Sequence, residues 1–168
     1  MILLASIVSL AQPWADYYND SSFAQSGVLF LHFGALLIAG GFAIAADRWV
    51  LRAGADAGAR ALLLDQLATL HGPMIIGLVV LIMTGSAMAL ADAEALLRAP
   101  VFWWKMGCFA LLLLNGVTLL LAEVKLRRVP CGDMCSAPEW RSLEWGARRS
   151  VSLWLLTLLL GTLLGSAA

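Results

Sequence analysis

Four apolar runs, at residues 27–46, 67–91, 101–122 and 150–165, alternate with stretches where charge returns. A helix crosses the ~30 Å hydrocarbon core of a bilayer in roughly 20 residues. Inside that core every backbone N–H and C=O must be paired within its own segment. The pattern therefore predicts four membrane helices, and the short or moderate connections predict that they are antiparallel neighbours. The expected fold is all-α: an integral membrane antiparallel four-helix bundle over residues 24–168, with an N-terminal interfacial segment over 1–23. In that segment Met1 to Leu10 is apolar but has neither the basic start nor the small-residue cleavage site of a secretion leader. Pro13, Trp14, Tyr17 and Tyr18 follow it and suit a helix lying at the membrane surface. Leu63, Leu64, Leu67 and Leu70 extend the second helix beyond the bilayer, residues 91–100 make a tight connection, and 130–138 is the longest loop.

Periodicity assigns the packed faces. In the first span His32, Ala35, Ala39, Ala43 and Ala46 recur at steps of three and four, and small residues mark close helix approach in membranes. The matching stripes are Gly77, Thr84 and Met88 in the second span, Lys105, Cys108, Leu112, Asn115 and Leu119 in the third, and Trp154, Thr157, Gly161 and Gly165 in the fourth.

Composition agrees with a bilayer as solvent. Of 168 residues 61% are hydrophobic and 13% charged, with mean hydropathy +0.86. A soluble domain of this length cannot hide that much apolar surface. No basic stripe suited to nucleic acid is present. The net charge is zero, but nine of the eleven Lys and Arg residues fall in the first and third connections, and only Arg98 and Lys105 on the other side. The positive-inside rule then predicts a multi-pass protein of the bacterial cytoplasmic (inner) membrane, with loops 1 and 3 cytoplasmic and both termini outside.

Polar residues inside the spans are the candidates for chemistry, because ionisable groups in a membrane are costly and face the bundle interior. With about 1.5 Å of rise per residue and mid-span at Leu36, Val79 and Leu112, His32 and Cys108 lie roughly 6 Å outward, Thr84 about 8 Å and Lys105 about 10 Å. These four are expected to line one outer-half pocket. Asn115 lies about 4–5 Å inward and His71 roughly 12 Å inward. His32 and His71 are thus about 18 Å apart in depth, whereas two imidazoles on one iron have nitrogens roughly 4 Å apart; they cannot share a haem. Each residue also has a purely structural reading: His32 bonded to Thr84 as helix glue, Lys105 snorkelling beside Trp103 and Trp104, Cys108 a small filler, Asn115 bonded to a neighbouring helix, and His71 interfacial near Pro73. Met83 joins His32 and Cys108 as a set of ligands for copper. Cys131 and Cys135, without a second pair, are a weak zinc signal. No nucleotide loop, hydrolytic triad or carboxylate near a span centre is found.

Several short segments carry a resemblance. Leu31-His32, Gly40-Gly41, Asp47-Arg48, Thr84-Gly85, Val101 through Met106, Leu114-Asn115-Gly116 and Ser152 through Trp154 resemble a group of uncharacterised four-span bacterial membrane proteins. That group is related in layout to copper-resistance D-type proteins and is similar to the four-helix membrane protoporphyrinogen oxidase. The oxidase has a Leu-His pair in its first helix and a key lysine in its third, positions that correspond to His32 and Lys105. Its aromatic-rich stretch after that histidine is replaced here by Ala and Gly. The resemblance implies a haem- or porphyrin-related redox protein, with haem b or another porphyrin bound by His32 as axial ligand and Lys105 as propionate partner or second ligand. Thr84 and Cys108 would complete the cofactor site.

Two other classes fit the residues: copper handling, and an accessory subunit without chemistry of its own, so that enzyme status stays open. The bilayer is the expected environment, with a membrane redox partner or a second copy of the chain as the expected protein partners. The topology is testable. Reporter fusions in the third connection, at residues 130–137, should report the cytoplasm, as the nine-to-two charge asymmetry requires; an external signal there would invert the bundle.

Overall fold

The computed structural model describes residues 2–53, 56–129 and 138–166. They form six helices: α1 (Ile2–Asp20), α2 (Ser22–Arg52), α3 (Ala57–Ala91), the short α4 (Ala93–Arg98), α5 (Pro100–Leu126) and α6 (Pro138–Ser166). Four of them, α2, α3, α5 and α6, are long and apolar enough to cross a membrane. The protein is an all-α, four-helix membrane bundle preceded by a short helix.

Local sequence sets the ends. The Ser21 hydroxyl accepts from the Ala24 N–H and caps α2; the Asp56 carboxylate accepts from the Ala59 N–H and caps α3. Pro100 opens α5, where its missing N–H leaves nothing unpaired. The connection expected at 91–100 contains α4, one turn and a half with an exposed Arg98–Glu94 pair.

The helices are longer than the apolar runs. With 31 residues in α2 and 35 in α3, they span about 46 and 52 Å against a ~30 Å hydrocarbon core. The surplus gathers mainly at one end, called here the arginine-rich end. There Val50, Leu63, Leu64, Leu67, Leu126, Trp140, Leu143 and Ala147 pack into a dense core in which Leu126 and Ala147 are fully buried. Arg60 lies over the Trp140 ring at 4.2 Å. A second core, of Ala35, Ala39, Ala43, Leu81, Leu112 and Trp154, sits nearer the bundle centre.

α2 is the hub. It packs along α3 on one side and α6 on the other, and α5 packs along α6, whereas α3 and α5 have no extensive backbone contact. The small-residue face makes this possible: Ala35, Ala39, Gly40, Ala43 and Ala46 are all buried, while Leu37 between them is 76% exposed. A methyl added at Gly77 would meet the Ala39 backbone nitrogen at 3.0 Å and the Ala35 carbonyl oxygen at 3.2 Å, so the α2 and α3 backbones touch there. One added at Gly40 would meet the Trp154 ring at 3.3 Å. α1 docks on the other end of the bundle, where the Trp14 indole N–H donates to the Ala87 carbonyl at 2.8 Å and its ring tilts against Tyr17 and Tyr18.

Gly77→Ala should therefore cost about 1–3 kcal/mol, because backbone atoms cannot move aside cheaply. Gly34→Ala, with nothing within 4 Å, should be neutral or stabilising by up to ~1 kcal/mol through helix propensity. Ala39→Leu should likewise destabilise more than Leu37→Ala. Reversible unfolding in mixed micelles reads all four; equal effects within either pair would mean that the packed face is misassigned.

Candidate functional site

His32 and Thr84 meet across the α2–α3 interface. The His32 Nδ1 is 2.8 Å from the Thr84 hydroxyl oxygen. That hydroxyl has one proton and donates it to the Val80 carbonyl at 2.7 Å, so it accepts from the ring. Nδ1 thus carries the hydrogen, and the neutral imidazole keeps its lone pair on Nε2. No described residue hydrogen-bonds that nitrogen. The ring lies against Gly85, where an added methyl would meet its Cε1 at 3.4 Å.

Lys105 reaches sideways from α5 onto α6. Its Nζ lies 3.5 Å from the point where a methyl on Gly161 would stand, and it is close enough to the imidazole to act on it electrostatically. This differs from a lysine extended outward to the interface: Gly161 offers a flat seat on the neighbouring helix, while Trp103 and Trp104 point away and are 58% and 71% exposed. Cys108, one turn along from Lys105, is a buried free thiol. Met83 is 65% exposed and faces outward, away from the other soft ligands. Asn115 donates from Nδ2 to the Gly146 carbonyl at 2.9 Å, tying α5 to α6.

A second set of polar groups gathers toward the arginine-rich end, around a central cavity of about 290 Å3 bounded by α2, α3, α5 and α6. His71, Glu123, Asp47 and Ser150 are its polar lining; Leu67, Met74, Leu112 and Trp154 are among the apolar remainder. None of His32, Thr84, Lys105 and Cys108 lines it. His71 Nε2 stands 3.3 Å from Glu123 Oε2, so the ring pairs across to α5. The Glu123 Oε1 accepts from Arg127 Nη2 at 2.7 Å and Nε at 3.2 Å. Arg127 also donates to Asp65 Oδ1 at 3.2 Å and to the Leu64 carbonyl. The hydrogen bonds it donates to Glu123, above all, hold the guanidinium pKa above the ordinary arginine value. Glu123 of α5 and Arg127, which caps it, thereby join His71, Asp65 and Leu64 of α3, bridging two helices that otherwise stand apart.

Asp47 is the odd member. It is 5% exposed, the Ser150 hydroxyl approaches its carboxyl group, and its Oδ2 has no partner among the described residues.

The sequence reading passed over both carboxylates because the apolar runs end at 46 and 122, one residue before each. The signal was present. One more step of four along the α2 face, from Ala43, reaches Asp47, and one more step of four from Leu119 reaches Glu123. Among the described residues no group of three or more His, Cys, Asp or Glu is arranged to hold a metal ion. Cys131 and Cys135 lie outside the described residues. No family model, curated protein or solved structure matches the chain.

Proposed function

We propose that this is a membrane redox protein that holds haem or a related porphyrin near the α1 end of the bundle, with His32 as its axial ligand. The observation that carries the reading is the His32–Thr84 contact at 2.8 Å, which orients the imidazole. Thr84 takes the Nδ1 hydrogen of His32 because its own proton is spent on Val80, so Nε2 presents an unpaired electron pair. Metal-bound histidines have this arrangement: the second ring nitrogen donates to a fixed acceptor, which sets the ring's orientation and raises its basicity.

The residues fit the group in two further respects. Gly85 leaves the imidazole edge uncrowded. Lys105, seated on Gly161, supplies a cation within electrostatic reach of His32, suited to a propionate carboxylate. Cys108 fills space beside it as a small buried side chain. A bound porphyrin iron would supply one-electron chemistry; the chain's part is to hold the imidazole, balance the propionate charge and keep water out. Copper handling has less support, since Met83 leaves His32 and Cys108 as two ligands short of a set.

The test is an absorbance spectrum of the detergent-purified protein before and after titration with haemin. A Soret band that is lost in His32→Ala, retained in His71→Ala and weakened in Thr84→Val is expected. Absence of a band in the titrated wild type, or its loss in His71→Ala alone, would overturn the reading.

A further inference from the structure

The central cavity is lined by one carboxyl group, that of Asp47, for which the described residues supply no cationic partner. Glu123 is matched by Arg127 and His71, and Arg127 by Asp65 as well. Among the described residues Asp47 has the Ser150 hydroxyl and no cation, and no Lys or Arg lines the cavity. A carboxylate 5% exposed with one oxygen unpartnered is costly to keep in an apolar interior. A proton would remove the charge but would leave the space beside it, room for roughly ten waters at their liquid volume, lined mostly by hydrocarbon. A ligand that settles both has one cationic, hydrogen-bond-donating head and a small apolar body.

The shape of the cavity agrees. At about 290 Å3 it lies at the small end of the ~300–1,000 Å3 range of small-molecule sites. Trp154 is part of its wall, with Met74 and Leu112, and gives an apolar body a large surface to lie against. Its lining includes Ile75 of α3 and Val117 and Leu120 of α5, which are themselves 54%, 52% and 40% exposed. The cavity therefore opens on the lipid-facing surface between α3 and α5, where the two helices have no extensive contact. A molecule dissolved in the bilayer can enter there without crossing water.

We propose that the central cavity binds a small amphipathic amine, its protonated nitrogen paired with the Asp47 carboxylate and its apolar body against Met74, Leu112 and Trp154. The site shares no residue with the His32 site, so it stands or falls independently of the porphyrin reading.

The full chain in phosphatidylcholine nanodiscs, titrated with 4-butylbenzylamine and with the neutral 4-butylbenzyl alcohol, tests this by calorimetry, with empty nanodiscs subtracted for partitioning. The amine should bind saturably, one per chain and at least tenfold tighter than the alcohol. Asp47→Asn should abolish that preference, Ser150→Ala should keep it, and Glu123→Gln should change amine affinity less than threefold because that charge is already balanced. Leu78→Trp, which narrows the cavity from α3 and leaves Asp47 in place, should abolish amine binding. Equal binding of amine and alcohol by the wild type, no saturable amine binding, or an unchanged preference in a folded Asp47→Asn protein would overturn the proposal. The first two outcomes need no variant, so the test survives if Asp47→Asn fails to fold.

Discussion

The close approach of α2 to its neighbours governs the rest of the molecule. Two apolar helices in lipid gain little by hiding hydrocarbon, so they associate where their backbones can come near. Ala35, Ala39, Ala43 and Gly77 allow this on the α3 side, and Gly40 against Trp154 allows it on the α6 side. With α2 occupied by both partners, α5 attaches through α6, where Asn115 bonds to Gly146. The order in space becomes α3, α2, α6, α5, and its two end members, α3 and α5, face each other across a gap. The cavity is the consequence of a hub lined with small side chains.

The arginine-rich end compensates for that gap. Helices that outrun the bilayer pack there around Trp140, Leu126 and Leu143 in a core as dry as that of a soluble protein. The His71–Glu123–Arg127–Asp65 chain closes α3 onto α5 at the same level. Glu123 is the buried member of that chain and Asp65 is exposed; a buried charge adds little net stability when paired but is costly to leave unpaired, and an exposed pair adds little, so the chain serves chiefly to fix how two unpacked helices face each other. Toward the α1 end the bundle is joined by single contacts, Trp14 to Ala87 and His32 to Thr84. Polar groups with unused bonding capacity are found at both levels: His32 Nε2 near one end and Asp47 Oδ2 near the other.

Much of this was legible in the sequence. Apolar run length gave the four spans, and steps of three and four gave the buried faces: each of Ala35, Ala39, Ala43, Ala46, Cys108, Leu112, Asn115 and Trp154 is buried. Helical rise placed His32 with Thr84, and the two are in contact. It also set His71 apart from them, and His71 pairs with Glu123. What was not legible follows from stopping each helix where hydropathy stops. Asp47 and Glu123 read as the first residues of polar loops, yet they continue helices and face inward. The side on which Lys105 lies, over Gly161, depends on which helices are neighbours. Spacing within one helix does not contain that information.

The central claim is that the α2 and α3 backbones touch at Ala39 and Gly77. It can be measured in native membranes by disulfide trapping, in a chain whose three cysteines are replaced by alanine. With Ala39→Cys and Gly77→Cys together, the two β-carbons stand 3.1 Å apart before adjustment, so the helices must part by roughly 0.7 Å to reach the mean disulfide separation. Mild oxidation, followed by counting the thiols left free for a maleimide mass tag, should show this pair closing almost completely within minutes. The lipid-facing pair Leu37→Cys and Val79→Cys, at 76% and 50% exposure, should stay reduced. If the first pair oxidises no faster than the second, α2 is not the hub, and the cavity between α3 and α5 loses its physical cause.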